Sequence, residues 1–174
     1  MRRALALCAL YALCLPLAAC GLKPMYAGGA DAAVAQGLAA VDVPAISGRG
    51  GWLVKNALDD RLSASGKGEA RYRLDVRLDD SLEALGVLND DTISRERRVL
   101  RARYQLIDTA TGEIVLDATA GSDAGIDVVS SEYATIAAEQ TALENLAEDI
   151  ADRMTTTIAL TLRERARAPE TAAP

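Results

Sequence analysis

Residues 70–79 read Ala70-Arg71-Tyr72-Arg73-Leu74-Asp75-Val76-Arg77-Leu78-Asp79, and apolar and charged side chains alternate strictly along this stretch. Successive side chains of a β-strand point to opposite faces, so a period of two predicts a strand with one buried and one charged face. The stretch therefore predicts a sheet that is covered by other elements on one side only. That requirement decides the fold class, because the covering layer has to come from helices elsewhere in the chain.

Two further stretches repeat the pattern. Residues 94–107 alternate in the same way, and residues 114–120 form a third apolar alternation after a loop of turn-forming residues at 108–112. Short connections between alternating strands favour antiparallel pairing. These three strands therefore predict an antiparallel meander. An earlier strand is expected over residues 38–46, at an edge of the sheet because Pro44 cannot donate to a ladder.

Two stretches show helical spacing instead. Val54, Leu58 and Leu62 lie four residues apart in a helix predicted over residues 52–64, with Gly66 as a C-terminal cap. A longer helix is expected after a cap at Ser130 or Ser131. The predicted fold is α+β, a two-layer sandwich of order β-α-β-β-β-α. In it, an antiparallel meander sheet carries two helices on one face and exposes its charged face to water or a partner.

The amino-terminal segment has the organisation of a signal peptide. Arg2 and Arg3 precede an apolar run over residues 4–17, which is shorter than the about 20 residues of a membrane-spanning helix. Leu17-Ala18-Ala19-Cys20 resembles the lipobox of bacterial lipoproteins, in which a peptidase cuts before the cysteine and the new terminus is lipidated. The alternative is an ordinary secretory signal with a chance cysteine at the cut.

These features divide the chain into four parts. We expect a lipoprotein signal peptide over residues 1–19 and a lipidated N-terminus with a flexible tether over residues 20–36. A single α+β domain follows over residues 37–167, and residues 168–174 form a disordered tail. The anchor is Cys20, which holds the protein to a membrane through its N-terminal lipid.

Composition excludes several functions. Cys8 and Cys14 lie in the removed segment and Cys20 is consumed by lipid, so the mature domain has no free thiol. The chain has no histidine, which removes the usual general base and the commonest metal ligand. We therefore expect no metal, no cofactor and no enzymatic activity. Removal of Arg2 and Arg3 leaves 17 basic against 25 acidic residues, a net charge of −8, which argues against nucleic-acid binding.

The start of the mature chain carries a second motif. Cys20-Gly21-Leu22-Lys23-Pro24-Met25-Tyr26 resembles the beginning of the LPS-assembly lipoprotein family (LptE), with Leu22 where an aromatic residue is common. The length and element order are similar to that family as well. The resemblance implies a lipoprotein on the periplasmic face of the outer membrane that plugs the LPS-assembly outer-membrane β-barrel protein, supports its folding and helps to insert lipopolysaccharide.

The charged face of the predicted sheet offers a candidate site. Arginine forks bind phosphate in a bidentate manner, and lipid A carries phosphates, so arginines on this face are candidates for binding lipopolysaccharide. The alternative is cross-strand ion pairing with Asp75, Asp79, Glu113 and Asp117 on a solvated face, which is the commoner arrangement. The candidate arginines are Arg71, Arg73, Arg77, Arg97, Arg101 and Arg103.

Apolar residues between the strands form a second candidate surface. Residues 81–91 are expected to form a tip that contacts the barrel or lipid, unless they fold back on the core. The candidate partner contacts are Leu82, Leu85, Val87, Leu88 and Trp52, although a lone tryptophan belongs more often to a core.

Two other functions fit the same features. One is an auxiliary lipoprotein of a lipid-transport ABC system, which would require an apolar groove for acyl chains. The other is a structural lipoprotein of the general barrel-assembly machinery or the cell envelope.

Overall fold

The computed structural model describes residues 30–66, 68–87 and 93–171. Three helices and four strands follow one another along the chain. They are α1 (Ala30–Ala39), β1 (Val41–Asp42), α2 (Gly48–Ser63), β2 (Tyr72–Val87), β3 (Ile93–Asp108), β4 (Ile114–Asp127) and α3 (Glu132–Thr171). None of the helices within these ranges is long and apolar enough to cross a membrane.

The sheet has the order β1-β2-β3-β4. The predicted meander is confirmed, because β2 and β3 pair antiparallel, as do β3 and β4, while β1 pairs parallel with β2 at the edge. We call the end where β2 begins and β3 finishes the proximal end, and the end where α3 begins the distal end. The two-layer α+β architecture is as predicted, with helices covering one face of the sheet.

Three boundaries differ from the expectations. The strand expected over residues 38–46 is reduced to β1, and the hairpin arms are longer than expected, so residues 81–87 belong to β2 rather than to a tip. Residues 88–91 of that predicted tip lie outside the described residues. At the carboxyl end, α3 continues through Thr171, into the stretch expected to be a disordered tail.

A helix that the sequence did not predict, α1, occupies residues 30–39, where a flexible tether was expected to reach residue 36. Alanine is the best helix former, and half of the ten residues of α1 are alanine. The helix packs on the last turns of α3. A Cβ on Gly37 would lie 2.9 Å from a terminal methyl group of Leu162, so the missing side chain allows this close approach.

The core lies between the sheet and the helices. One stripe of α3 is almost fully excluded from water, and it faces apolar side chains of β2 and β3 that are just as well buried. Full burial of a side chain of this size contributes about 1.5–3 kcal/mol. The stripe consists of Leu143, Leu146, Ile150, Met154, Ile158 and Leu162, and the facing residues are Leu74, Leu100, Tyr104 and Leu106.

A guanidinium joins the two long helices at their surface. Arg61 of α2 donates from Nε to Asp152 at 2.5 Å and from Nη2 to Glu148 at 2.7 Å, both on α3. The hydrogen bond from Arg61 lowers the pKa of the Asp152 carboxyl. The two helices are therefore held in register by ionic contacts in addition to their apolar packing.

The strand β4 forms one edge of the sheet. Arg153 of α3 reaches around this edge and donates from Nη1 to the backbone carbonyl of Gly121 at 2.9 Å. Nearby, the hydroxyl of Ser122 donates to Asp149 at 3.1 Å. The helix therefore supplies a hydrogen-bond donor to a backbone carbonyl of β4 that no neighbouring strand pairs with.

Two adjacent glycines of α2 allow a test of this packing. A Cβ on Gly51 would lie 2.5 Å from the backbone oxygen of Ile46, whereas a Cβ on Gly50 would meet ordinary contacts from 3.6 Å upward. We expect Gly51→Ala to lower the free energy of unfolding by about 1–3 kcal/mol, because the backbone has to move. Gly50→Ala is the matched control and should be neutral or stabilising by up to ~1 kcal/mol, since alanine favours the helix. Urea denaturation of both variants measures the difference, and equal stabilities would contradict the contact.

Candidate functional site

The uncovered face of the sheet, which we call the open face, carries the charged side chains of β2, β3 and β4. Strand register places Arg77 directly opposite Arg103, and Asp79 opposite Arg101. On the other side of β3, Arg101 faces Gly121 of β4. Because successive side chains of a strand point to opposite faces, the register between the strands determines which side chains share the open face. Arginines of two strands are therefore brought together at the middle of the sheet.

Four of the six candidate arginines form ion pairs. Arg73 pairs with Asp75 on its own strand, and Arg103 pairs across the sheet with Asp117, two acidic residues that the alternative interpretation named. Glu113 instead binds Arg165 of α3 at 2.6 Å. The four pairs are Arg71–Asp108 (3.3 Å), Arg73–Asp75 (2.9 Å), Arg97–Glu83 (2.8 Å) and Arg103–Asp117 (3.1 Å).

Arg71 stands apart from the other candidates. It lies at the proximal end, just before β2, with its guanidinium 5.2 Å from the ring centre of Tyr72. Its partner Asp108 is buried and also accepts a hydrogen bond from the backbone of Ala110, which lowers the pKa of its carboxyl together with the contribution of Arg71. Arg71 therefore belongs to the turn between β3 and β4 rather than to the arginine group at the middle of the sheet.

Arg77 and Arg101 differ from their neighbours on the open face. Within the described ranges, neither side chain has an ion pair or a side-chain hydrogen bond. Together with Arg103 they line a shallow depression of about 520 Å³, whose wall on β4 is low because Gly121 has no side chain. Like charges placed opposite each other in a sheet repel. The Arg77–Arg103 registration therefore leaves positive charge that an anion would stabilise.

Asp79 reduces this positive charge without removing it. It lines the same depression and lies opposite Arg101 in the register, but no ion pair joins the two side chains. Among the described residues, two guanidinium groups without an ion pair, those of Arg77 and Arg101, therefore face the carboxylate of Asp79, because Arg103 and Asp117 neutralise each other. The charge of the depression is complementary to that of a phosphate or another compact anion.

The distal end exposes a second kind of surface. Leu82 and Leu85 of β2 are 46% and 37% exposed, and Leu82 shares the helix-covered side of the sheet while Leu85 shares the open face. The side chain of Val87, and all of Leu88, lie outside the described residues. Trp52 on α2 is 62% exposed, so the interpretation of this residue as part of the core is wrong.

Three exposed apolar residues at the distal end were missed by sequence reasoning. Val129 precedes α3, Tyr133 lies in its first turn with 84% of its surface exposed, and Ile136 is 43% exposed. A signal existed, because the closely spaced apolar residues of the helix begin at Leu143, seven residues after Ile136. We call Leu82, Leu85, Val129, Tyr133 and Ile136 the distal apolar cluster.

The described residues contain no group of three or more His, Cys, Asp or Glu side chains arranged to hold a metal ion. The arrangement of the site is that of a binding surface: a charged open face and an apolar end.

Solved structures with the same fold are lipoproteins. A protein from Caulobacter crescentus CB15 described as a lipoprotein is 28% identical, with a TM-score of 0.64 over 77% of this chain and 98% of that chain. The rare lipoprotein B from Shewanella oneidensis is 9% identical, with a TM-score of 0.58 over 70% of this chain and 93% of that chain. A minor lipoprotein from Acinetobacter baumannii is 17% identical, with a TM-score of 0.55 over 69% of this chain and 88% of that chain.

These likenesses show the fold of this chain, an α+β domain in which helices cover one face of a four-stranded sheet. A sequence comparison with curated proteins found no match. A family model described as "LptE: Lipopolysaccharide-assembly" matches residues 38–158. The chain belongs to the LptE family of lipopolysaccharide-assembly lipoproteins, as its start motif indicated, and is a non-enzymatic component of that assembly.

The ion pair at the middle of the open face predicts a measurable titration. Hydrogen bonds from Arg103 and then Gln105 lower the pKa of the Asp117 carboxyl. The pair therefore adds stability above the carboxyl's pKa in the unfolded chain, and this contribution is lost as the pH falls through the lower pKa of the folded state. In Arg103→Gln the pKa of Asp117 should rise toward its ordinary value in a carboxyl ¹³C NMR titration. The control Arg101→Gln removes a neighbouring charge that has no hydrogen bond to Asp117, so it should change the pKa of Asp117 much less. Equal shifts in the two variants would contradict the contribution of the Arg103 hydrogen bond.

Proposed function

We propose that this protein is anchored by lipid at Cys20 on the periplasmic face of the outer membrane and occupies the lumen of the LPS-assembly β-barrel. It supports the folding of that barrel and assists the insertion of lipopolysaccharide into the outer leaflet. The observation that carries the proposal is the family match over residues 38–158, joined to the lipobox at residues 17–20.

The surface of the domain supports a contact with both a protein and an anionic lipid. The distal apolar cluster supplies apolar groups that a partner could cover, since each of its side chains is at least 37% exposed. On the open face, in contrast, most of the described arginines are ion-paired, and Arg77 and Arg101 are the exceptions. A domain inside a barrel would present such mixed surfaces to a wall that is polar on its inner side.

Direct contact with lipopolysaccharide is assigned to the central depression. Arg77, Arg101 and Arg103 present guanidinium groups to one volume, and the phosphates of lipid A match them in charge and geometry. Arg73 and Arg97 are less suited, because each would have to release a carboxylate first. The same criterion makes Arg103 secondary, because it pairs with Asp117, so the six candidate arginines reduce to Arg77 and Arg101.

Matched double variants test the lipid contact. Arg77→Gln with Arg101→Gln should weaken binding of purified lipopolysaccharide at low salt by tenfold or more, since charge-assisted hydrogen bonds contribute about 1.5–3 kcal/mol each. The control is Arg73→Gln with Arg97→Gln, which removes the same charge from paired positions and should change binding less than about threefold by the same reasoning. Equal losses in the two variants would show that only overall charge matters.

A second experiment tests the barrel. Co-expression and affinity purification should recover the LPS-assembly barrel with the wild-type chain. A domain inside the lumen would form an interface of at least the about 1,000 Å² that stable complexes bury. Tyr133→Glu with Ile136→Glu should lower the recovered barrel several-fold, because the charges prevent burial of the cluster. Leu160→Glu is the control, since Leu160 is an exposed apolar residue of α3 (55%) in the other half of that helix. The proposal fails if no barrel is recovered with wild type, and the cluster is wrong if Leu160→Glu is as damaging.

A further inference from the structure

A second depression lies on the open face beside the edge of β2, about 460 Å³ in volume, and we call it the lateral depression. Pro44, Ala45 and Ile46, which follow β1, form its wall at the edge, and residues of β2 and β3 line it on the sheet. It shares Arg77 and Arg103 with the central depression, and these two residues stand opposite each other in the register. The two depressions are therefore neighbours along the strands, one on either side of this arginine pair.

The early end of β1 leaves backbone groups of β2 without a partner in the lateral depression. The amide of Tyr72 donates to the carbonyl of Ala40 at 3.0 Å, so the backbone groups of Tyr72 point to the β1 side. Because backbone groups alternate between the two sides of a strand, those of Val76 point to the same side. However, β1 ends at Asp42, and within the described ranges no backbone hydrogen bond joins residues 43–47 to β2. Val76 therefore offers one donor and one acceptor to an occupant of the lateral depression.

The charges around the lateral depression are balanced except for that of Arg77. Asp75 accepts two hydrogen bonds from Arg73, at 3.0 and 2.9 Å, and Arg103 is paired with Asp117. Arg77 has no ion pair among the described residues, and it lies on the border with the central depression. The part of an occupant that enters the lateral depression therefore needs no charge, whereas the part that reaches past Arg77 should be an anion.

The other polar groups of the lateral depression suit hydroxyl groups. The amide nitrogen of Gln105 donates to Asp117 at 2.8 Å, so its Oε1 remains to accept a hydrogen bond, and the carboxylate of Asp75 retains lone pairs. A hydroxyl group both donates and accepts, so it matches these acceptors as well as the backbone of Val76. Half-buried Pro44 and Ile46 add apolar surface on the opposite wall. A sugar ring, with hydroxyl groups at its edge and C–H groups on its faces, matches both walls.

We propose that the lateral depression binds a sugar ring whose phosphate lies in the central depression, so that the two depressions together form a site for a phosphorylated sugar. The phosphate contacts Arg77 and Arg101, the sugar hydroxyls bind the backbone of Val76 and Oε1 of Gln105, and a face of the ring lies against Pro44. The inference rests on the proposed function, because it takes the phosphate contact from it and adds the group next to the phosphate. A free sugar phosphate and the phosphorylated sugar of a glycolipid share this chemistry.

Three phosphate monoesters of equal charge test the site by NMR titration of the mature chain with Cys20→Ser. Methyl phosphate supplies only the charge, glycerol 3-phosphate adds a short polyol, and glucose 1-phosphate adds a sugar ring. We expect glucose 1-phosphate to bind about fivefold or more tightly than the other two, because its ring forms additional hydrogen bonds. The amide signal of Val76 should shift with glucose 1-phosphate and stay in place with methyl phosphate. Equal affinities for the three esters, or an unmoved Val76 signal, would overturn the proposal.

A pair of matched variants locates the sugar. Ala45 is exposed on the wall of the lateral depression, so Ala45→Phe fills this space and leaves the arginines in place. The variant should bind glucose 1-phosphate no more tightly than methyl phosphate, and its unchanged affinity for methyl phosphate would show that the fold is intact. The control is Ala64→Phe, since Ala64 is an exposed alanine outside both depressions, and it should alter neither affinity. A preference for glucose 1-phosphate that survives in Ala45→Phe would contradict the placement.

The phosphate contact and the sugar contact fail in different ways. If none of the three esters binds, the phosphate contact of the proposed function is wrong and this inference is wrong with it. If methyl phosphate shifts the side-chain signals of Arg77 and Arg101 but the sugar adds no affinity, only this inference is wrong. Purified lipopolysaccharide then separates the two sources of the sugar. Weaker binding of lipopolysaccharide by Ala45→Phe than by Ala64→Phe would assign the sugar to the glycolipid, and equal binding would assign it to a free sugar phosphate.

Discussion

The contact between one apolar stripe of α3 and the covered face of the meander holds the domain together. Ile150, Met154 and Ile158 have no measurable exposure, and neither have Leu74, Leu100 and Leu106 on the facing strands. Helix α2 packs beside this layer and is joined to α3 through Arg61. The long helix α3 lies against β3 and β4, α2 contacts β2, and the ladders between the strands join these contacts into one layer. Both candidate surfaces depend on that placement.

The properties of the open face follow from the same constraint. Burial of the even-numbered residues of β2 and β3 forces the odd-numbered residues outward, and most of these are charged. Most charges of that face are balanced locally, at distances near 3 Å, so they contribute little to the stability of the domain. What distinguishes Arg77 and Arg101 is the absence of such a balance among the described residues. Among the described residues, arginines without an ion pair are therefore confined to a small part of a face that looks uniformly charged in the sequence.

Periodicity predicted the meander, the two long helices and the covered face, because strict alternation and four-residue spacing determine which side chains can be buried together. It failed where burial is weak. Half of the residues of helix α1 are alanine, so its sequence does not distinguish an apolar from a polar face. Its position depends on the fit of Gly37 to Leu162, which the spacing of apolar residues cannot reveal. The strand at residues 38–46 was overestimated because Val41, Val43 and Ile46 resemble a strand although only Val41 and Asp42 pair with β2.

The candidate site was predicted in part for a similar reason. Alternation identified which arginines share a face, but the sequence does not specify which carboxylate each guanidinium selects. Glu113, for example, pairs across the domain with Arg165 of α3 rather than with its own sheet. The residues of the distal apolar cluster on α3 were missed because the helical pattern treats Ile136 and Leu143 alike, although Ile136 is 43% exposed and Leu143 only 2%.

The hydrogen bond from Arg153 to the carbonyl of Gly121 has a consequence for the behaviour of the protein before it meets a partner. An uncovered strand of 14 residues is a template on which the strand of another molecule can grow, and such growth leads to aggregation. The guanidinium of Arg153 occupies one backbone acceptor near the centre of that strand, so a strand of a second molecule would have to displace it in order to pair there.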